Sequence, residues 1–151
     1  KNYFLTKQIN LKELSQLLNI KEDQDFNLLR DSVLSGNKVQ TNLLLNNLTI
    51  ENDKINFYLA AINNRLHRIL ELKTEKLENI ENAISKLKPP IFWKDKPNFL
   101  KQAKIWSQNN LKKALNKSYD VELKIKSSST INPKIIFKNY LIEICLLIND
   151  A

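Results

Sequence analysis

The segment Ile55-Asn56-Phe57-Tyr58-Leu59-Ala60-Ala61-Ile62-Asn63-Asn64-Arg65-Leu66-His67-Arg68-Ile69-Leu70 decides the fold. Ile55, Tyr58, Leu59, Ile62, Leu66, Ile69 and Leu70 stand at helical spacing and form an unbroken apolar stripe. The reading places Arg65 and Arg68 away from that stripe and His67 on the surface or flank of the helix. A helix with one apolar face this long has to be covered by other elements, and the neighbouring sequence supplies them.

On the N-terminal side, Leu11, Leu14, Leu17 and Leu18 have helical spacing and are followed by the polar stretch 19–25. Residues 1–23 read as the tail of a preceding domain plus a linker, and residues 24–151 as a helical domain. Asp25 is expected to cap a helix carrying Phe26, Leu29, Val33 and Leu34. Gly36 is expected to end that helix in the left-handed conformation. A short helix with Val39, Leu43, Leu44 and Leu48 follows, giving an αα-hairpin.

On the C-terminal side, a fourth helix holds Leu77, Ile80, Ile84 and Leu87 until Pro89 and Pro90 stop it. A fifth carries Phe99, Leu100, Ala103 and Trp106, and a sixth carries Leu111, Ala114, Leu115, Tyr119 and Leu123. The tract 127–130 reads as a loop, and Pro133 opens a last helix. That helix, with Ile135, Ile136, Phe137, Tyr140, Leu141, Ile144, Cys145, Leu147 and Ile148, is apolar on most of its sides. It is expected at the centre of the bundle, with Tyr140, Ile144 and Leu147 supporting a subunit interface. The fold class is all-α, a compact multi-helix bundle.

Composition narrows the function. The chain has 151 residues, a single glycine (Gly36), four prolines and no methionine. The missing initiator points to a fragment of a longer protein. Cys145 is the only cysteine, so no internal disulfide exists, and its apolar setting marks a core residue of a cytoplasmic protein. One histidine, His67, makes neither a metal site nor a catalytic relay. The expected catalytic residues, metal ligands and cofactors are none. Glu71, Glu75, Glu78 and Glu81 have helical spacing, but Lys73 and Lys76 interleave them, as on a solvated face. No apolar run is long enough for a membrane span.

The formal net charge is +8, which suits an acidic partner. Abundant Lys, Asn and Ile together also fit A/T-rich coding, so the placement of the charge matters more than its sum. It clusters: Lys86, Lys88, Lys94, Lys96, Lys101 and Lys104 stand against one acid, Asp95. Lys112, Lys113, Lys117, Lys124 and Lys126 continue the trend.

Within that cluster lies Leu87-Lys88-Pro89-Pro90-Ile91-Phe92-Trp93-Lys94-Asp95-Lys96-Pro97, a connector stiffened by proline and carrying two large rings. Phe92 is assigned to the core and Trp93 to the surface. An exposed indole between Lys88, Lys94 and Lys96 is the combination single-stranded nucleic-acid binders use, so these four residues are the candidate DNA-binding set.

This connector, followed by Trp106, by Val121-Glu122-Leu123-Lys124-Ile125-Lys126-Ser127 and by a leucine-rich last helix, resembles the C-terminal region of the delta subunit of the bacterial DNA polymerase III clamp loader. That family shows a Leu-Arg-Pro-Pro-Val-Phe-Phe-Lys-type loop in the first place, where Lys88 and Trp93 substitute here, and a Glu-Leu-x-x-Lys-type turn in the second. The likeness covers about 25–148, and 5–18 resemble the end of the lid-like domain. The resemblance implies a collar domain that assembles the loader pentamer with gamma/tau-type and delta-prime-type subunits. It further implies contact with primer-template DNA, and contact with the sliding clamp only through an N-terminal domain absent from this sequence. The delta subunit is not an ATPase, and the chain has no Gly-x-x-x-x-Gly-Lys-Ser/Thr loop. Nucleotidyltransferase activity would attach to the parent by complex membership only. Two other classes stand beside this one: an independent basic nucleic-acid-binding or adaptor module, supported by the lysine cluster, and an enzyme, which the solvated glutamates and the lack of histidine disfavour.

Overall fold

In the computed structural model the described residues are 11–74, 80–127 and 130–148. They form seven helices and no strand: α1 (Leu11–Leu34), α2 (Lys38–Asn47), α3 (Ile55–Thr74), α4 (Ile80–Lys86), α5 (Lys96–Ile105), α6 (Gln108–Ser127) and α7 (Pro133–Leu147). The all-α bundle read from the sequence is therefore the observed fold. Residues 1–10, and Leu77, Glu75 and Glu78 near the fourth helix, lie outside the described residues.

The apolar stripe of α3 is the core. Ile55, Tyr58, Leu59, Ile62, Leu66 and Ile69 are buried, and α6, α5, α7 and α4 pack around the helix. Helix α6 buries two small residues, Ala114 and Ser118. At the α3–α6 contact the Ser118 hydroxyl donates to the Asn63 side chain. This sets the rotation of α6. Leu111, Ala114, Ser118 and Val121 turn inward, while Tyr119 and Leu123, expected on the buried side, are exposed. The stretch 121–127, expected as a turn, is the end of α6, with Glu122 and Lys126 paired across one helical turn at 2.6 Å.

The α1–α2 hairpin turns at Gly36, whose φ of 68° is open to glycine without steric cost. The Gly36 amide donates to the Val33 carbonyl (3.1 Å) and the Asn37 amide to that of Ser32 (3.0 Å), a Schellman closure. Asn37 then caps α2, accepting from the Gln40 amide at 3.1 Å. Upstream, α1 differs from expectation. It runs unbroken through 19–25, so this polar stretch is helical and Asp25 is not its cap. No glycine or proline interrupts 11–34, and Lys21, Glu22 and Gln24 are good helix formers. On α2 the buried residues are Thr41 and Leu45, and Val39 and Leu43 point to solvent.

Helix α7 starts at Pro133 as expected, with Asn132 as its cap. It packs against α6, α1, α2 and α3. Phe137, Tyr140, Leu141, Ile144 and Cys145 are buried, and burial raises both the Cys145 thiol and the Tyr140 hydroxyl, the latter to about 12 against an opposing pull from Ser118. The Cys145 sulfur lies 3.7 Å from the Thr41 hydroxyl across the α2–α7 contact. Tyr140 and Ile144, expected at a subunit interface, belong to the domain's own core and offer a partner almost no surface. Leu147 is half-buried.

Because Ile144 is fully buried, Ile144→Asp places an unpaired carboxylate among apolar side chains. The expected cost is several kcal/mol against a stability of roughly 5–15 kcal/mol. Thermal melting by circular dichroism should show a collapsed or absent cooperative transition; a melt like the wild type's would contradict the central placement of α7.

Candidate nucleic-acid interface

The connector between α4 and α5 is held from below by Arg65. This residue stands three positions after Ile62 and four before Ile69, so helix geometry puts it at the margin of the buried face rather than away from it. Its side chain is 6 % exposed. Nη1 donates to Asp95 Oδ2 at 2.6 Å, Nη2 to Asp95 Oδ1 at 3.2 Å and Nε to Gln102 Oε1 at 2.7 Å. The guanidinium also lies over the Phe99 ring, 4.5 Å from its centroid. Burial pulls the Arg65 pKa down, and the charge and hydrogen bonds of Asp95 oppose that shift. A guanidinium stays protonated regardless, so the arrangement is a buried cation each of whose three nitrogens donates a hydrogen bond.

The network extends outward. Asp31 on α1 accepts from Asn98 Nδ2 at 3.0 Å and Gln102 Nε2 at 3.4 Å, and pairs with Arg30 at 2.9 Å. Arg30 in turn comes within 3.6 Å of Asp95. Two arginines and two aspartates thus join α1, α3 and α5 around the foot of the connector. Asp95 occupies the N-cap position of α5 without bonding that helix through its side chain. Its carboxylate is given to Arg65 instead.

Above this foot the backbone makes a tight turn. The amides of Asp95 and Lys96 both donate to the Phe92 carbonyl, at 2.9 and 3.1 Å. Arg68 adds a bond from Nη2 to the Pro89 carbonyl, on the far side of the Pro-Pro unit. The turn exposes two rings: Phe92 is 62 % and Trp93 70 % exposed, with ring centroids 5.8 Å apart and planes tilted by 49°. The Lys94 ammonium lies 5.2 Å from the Trp93 ring centroid. Lys88, Lys94 and Lys96 are exposed as well.

The four residues singled out in the sequence therefore share one exposed connector. Phe92 does not take the core position assigned to it. Ile91 packs against the core in its place, and the turn closed on the Phe92 carbonyl carries both rings outward. Arg65 and its partners were missed from the sequence, since nothing local indicates that an arginine will meet an aspartate thirty residues later. The one available signal was the position of Arg65 between two stripe residues. His67 is exposed, and among the described residues no group of His, Cys, Asp or Glu is placed to hold a metal ion. No described helix is long and apolar enough to cross a membrane.

No family model, curated protein or solved structure matches this chain.

The two tryptophans occupy opposite environments. Trp106 is 1 % exposed, and its Nε1 donates to the Leu34 carbonyl at 2.9 Å. Acrylamide should quench one emitting component readily and leave the other nearly untouched, with Trp93→Phe removing the quenchable one. Equal quenching of both indoles would contradict the exposed turn.

Proposed function

We propose that this chain is an assembly domain of the clamp-loader collar type, part of a delta-like subunit that joins gamma/tau-type and delta-prime-type partners in the cytoplasm. In this reading the domain helps build the pentamer that places the sliding clamp on primed DNA, and its aromatic turn touches the single-stranded template. The chain itself performs no chemistry.

The observation that carries the assembly reading is the outward side of α7. Ile135, Ile142 and Leu146 are 63 %, 39 % and 38 % exposed. Their spacing of seven and then four residues places them, with Asn139, along one side of the helix, opposite Phe137, Tyr140 and Ile144. A helix apolar toward the core and apolar toward water calls for a second cover. Helix α2 packs beside it and carries Val39 and Leu43, at 72 % and 53 % exposure, on its own outer side. The interface residues of this reading are thus Ile135, Ile142 and Leu146 rather than Tyr140 and Ile144.

A second reading, a free-standing basic nucleic-acid-binding module, is favoured by the Phe92–Trp93 turn, which requires no partner subunit to be exposed. Size-exclusion chromatography with gamma/tau-type and delta-prime-type subunits separates the two. The collar reading expects co-elution of the wild type, abolished by Ile142→Asp with Leu146→Asp while the helical melt stays within a few degrees. A wild type that elutes alone would overturn it, and so would a double variant that still co-elutes.

A further inference from the structure

The basic cluster does not end at the aromatic turn. Helix α5 begins at Lys96, directly after it, and buries Phe99, Gln102 and Ala103 on one side. Lys101 and Lys104, three residues apart and both exposed, lie on the other. From Lys96 to Lys104 the helix rises about 12 Å. No acidic residue occurs in α5. The acids at the foot of the connector are both engaged: Asp95 is ion-paired with Arg65, and Asp31 pairs with Arg30 and accepts from Asn98 and Gln102. A polyanion leaving the rings along α5 would meet lysines and no free carboxylate from this helix.

We infer that the Phe92–Trp93 turn and the outward side of α5 form one continuous track for single-stranded nucleic acid. Adjacent bases stack on Phe92 and Trp93, a sequence-tolerant contact because every base has a π-face. The phosphates that follow run past Lys101 and Lys104. The tilt of 49° between the rings suits a strand whose bases are splayed rather than a paired helix. This deepens the nucleic-acid half of the proposed function, on which it rests, by naming the ligand class and the path of the strand.

The test uses the intact chain without any loader subunit, so its outcome is independent of assembly. Fluorescence anisotropy of a labelled oligothymidylate is followed over a salt titration. The wild type should bind weakly, with affinity falling steeply with salt. Lys101→Gln with Lys104→Gln should flatten the slope of log affinity against log salt by about 1.4, about 0.7 per phosphate no longer neutralised. Trp93→Ala should weaken binding roughly fivefold to a hundredfold and leave that slope in place. These three side chains are exposed, so melting curves should coincide. An unchanged slope in the lysine variant overturns the track along α5, and unchanged affinity in Trp93→Ala overturns the stacking platform. Tighter binding of anionic lipid vesicles than of the oligonucleotide overturns the ligand class. A chain that joins loader subunits yet binds no oligonucleotide overturns the track and leaves the assembly reading standing.

Discussion

A buried arginine holds this molecule's exposed chemistry in place. Without Arg65, the connector beyond the buried Leu87 would be tied down by the Arg68 bond to Pro89, the packing of Ile91 and the more distant Arg30. With it, Asp95 is fixed by two hydrogen bonds, Gln102 by a third and the Phe99 ring by a cation over its face. Breaking a fully buried ion pair costs about 3–5 kcal/mol; the figure is smaller here because Asp95 keeps 28 % of its side-chain surface and Arg30 stands nearby. The larger consequence is geometric. Ordering the turn before any ligand arrives removes part of the entropy cost of binding, and pairing with Arg65 engages the carboxylate of Asp95, which lies among the lysines around the rings.

The rest of the fold divides between a helix that is covered and one that is incompletely covered. α3 buries its apolar stripe from Ile55 to Ile69, leaves Leu70 half-buried and gives its margin to Arg65. α7 is the most apolar helix in the chain, and its neighbours cover only one side of it. The difference follows from sequence: the outward positions of α3 include Asn56, Asn64 and His67, whereas those of α7 include Ile135, Ile142 and Leu146. The stripe on α7 is the surface that the proposed assembly would cover.

Much of this was legible in the sequence. The α3 stripe, the Gly36 hairpin and the start of α7 all follow from local rules of periodicity, capping and proline stiffness. The failures share a cause. On α6 the buried side takes in Ser118, whose hydroxyl reaches Asn63 of α3, rather than Tyr119, and the larger side chain misleads a count of apolar positions. Val39 and Leu43 on α2 fail the same way, for if the outer side of the domain is an interface, hydrophobicity no longer marks the core. The polar stretch 19–25 looks like a linker by composition, yet it contains nothing that breaks a helix. Arg65 depends on a partner distant in sequence, which no local pattern reports, and the outward position of Phe92 depends on the turn that partner holds.

The claim that Arg65 preorganises the turn is tested most directly by amide hydrogen exchange at Asp95 and Lys96, whose amides both bond to the Phe92 carbonyl. The comparison is the wild type with Arg65→Met, which keeps the apolar stem and removes the charge. The account predicts protection at both amides in the wild type, lost in the variant while the amides of α3 and α6 retain theirs. Protection at Asp95 and Lys96 that survives the substitution would contradict it.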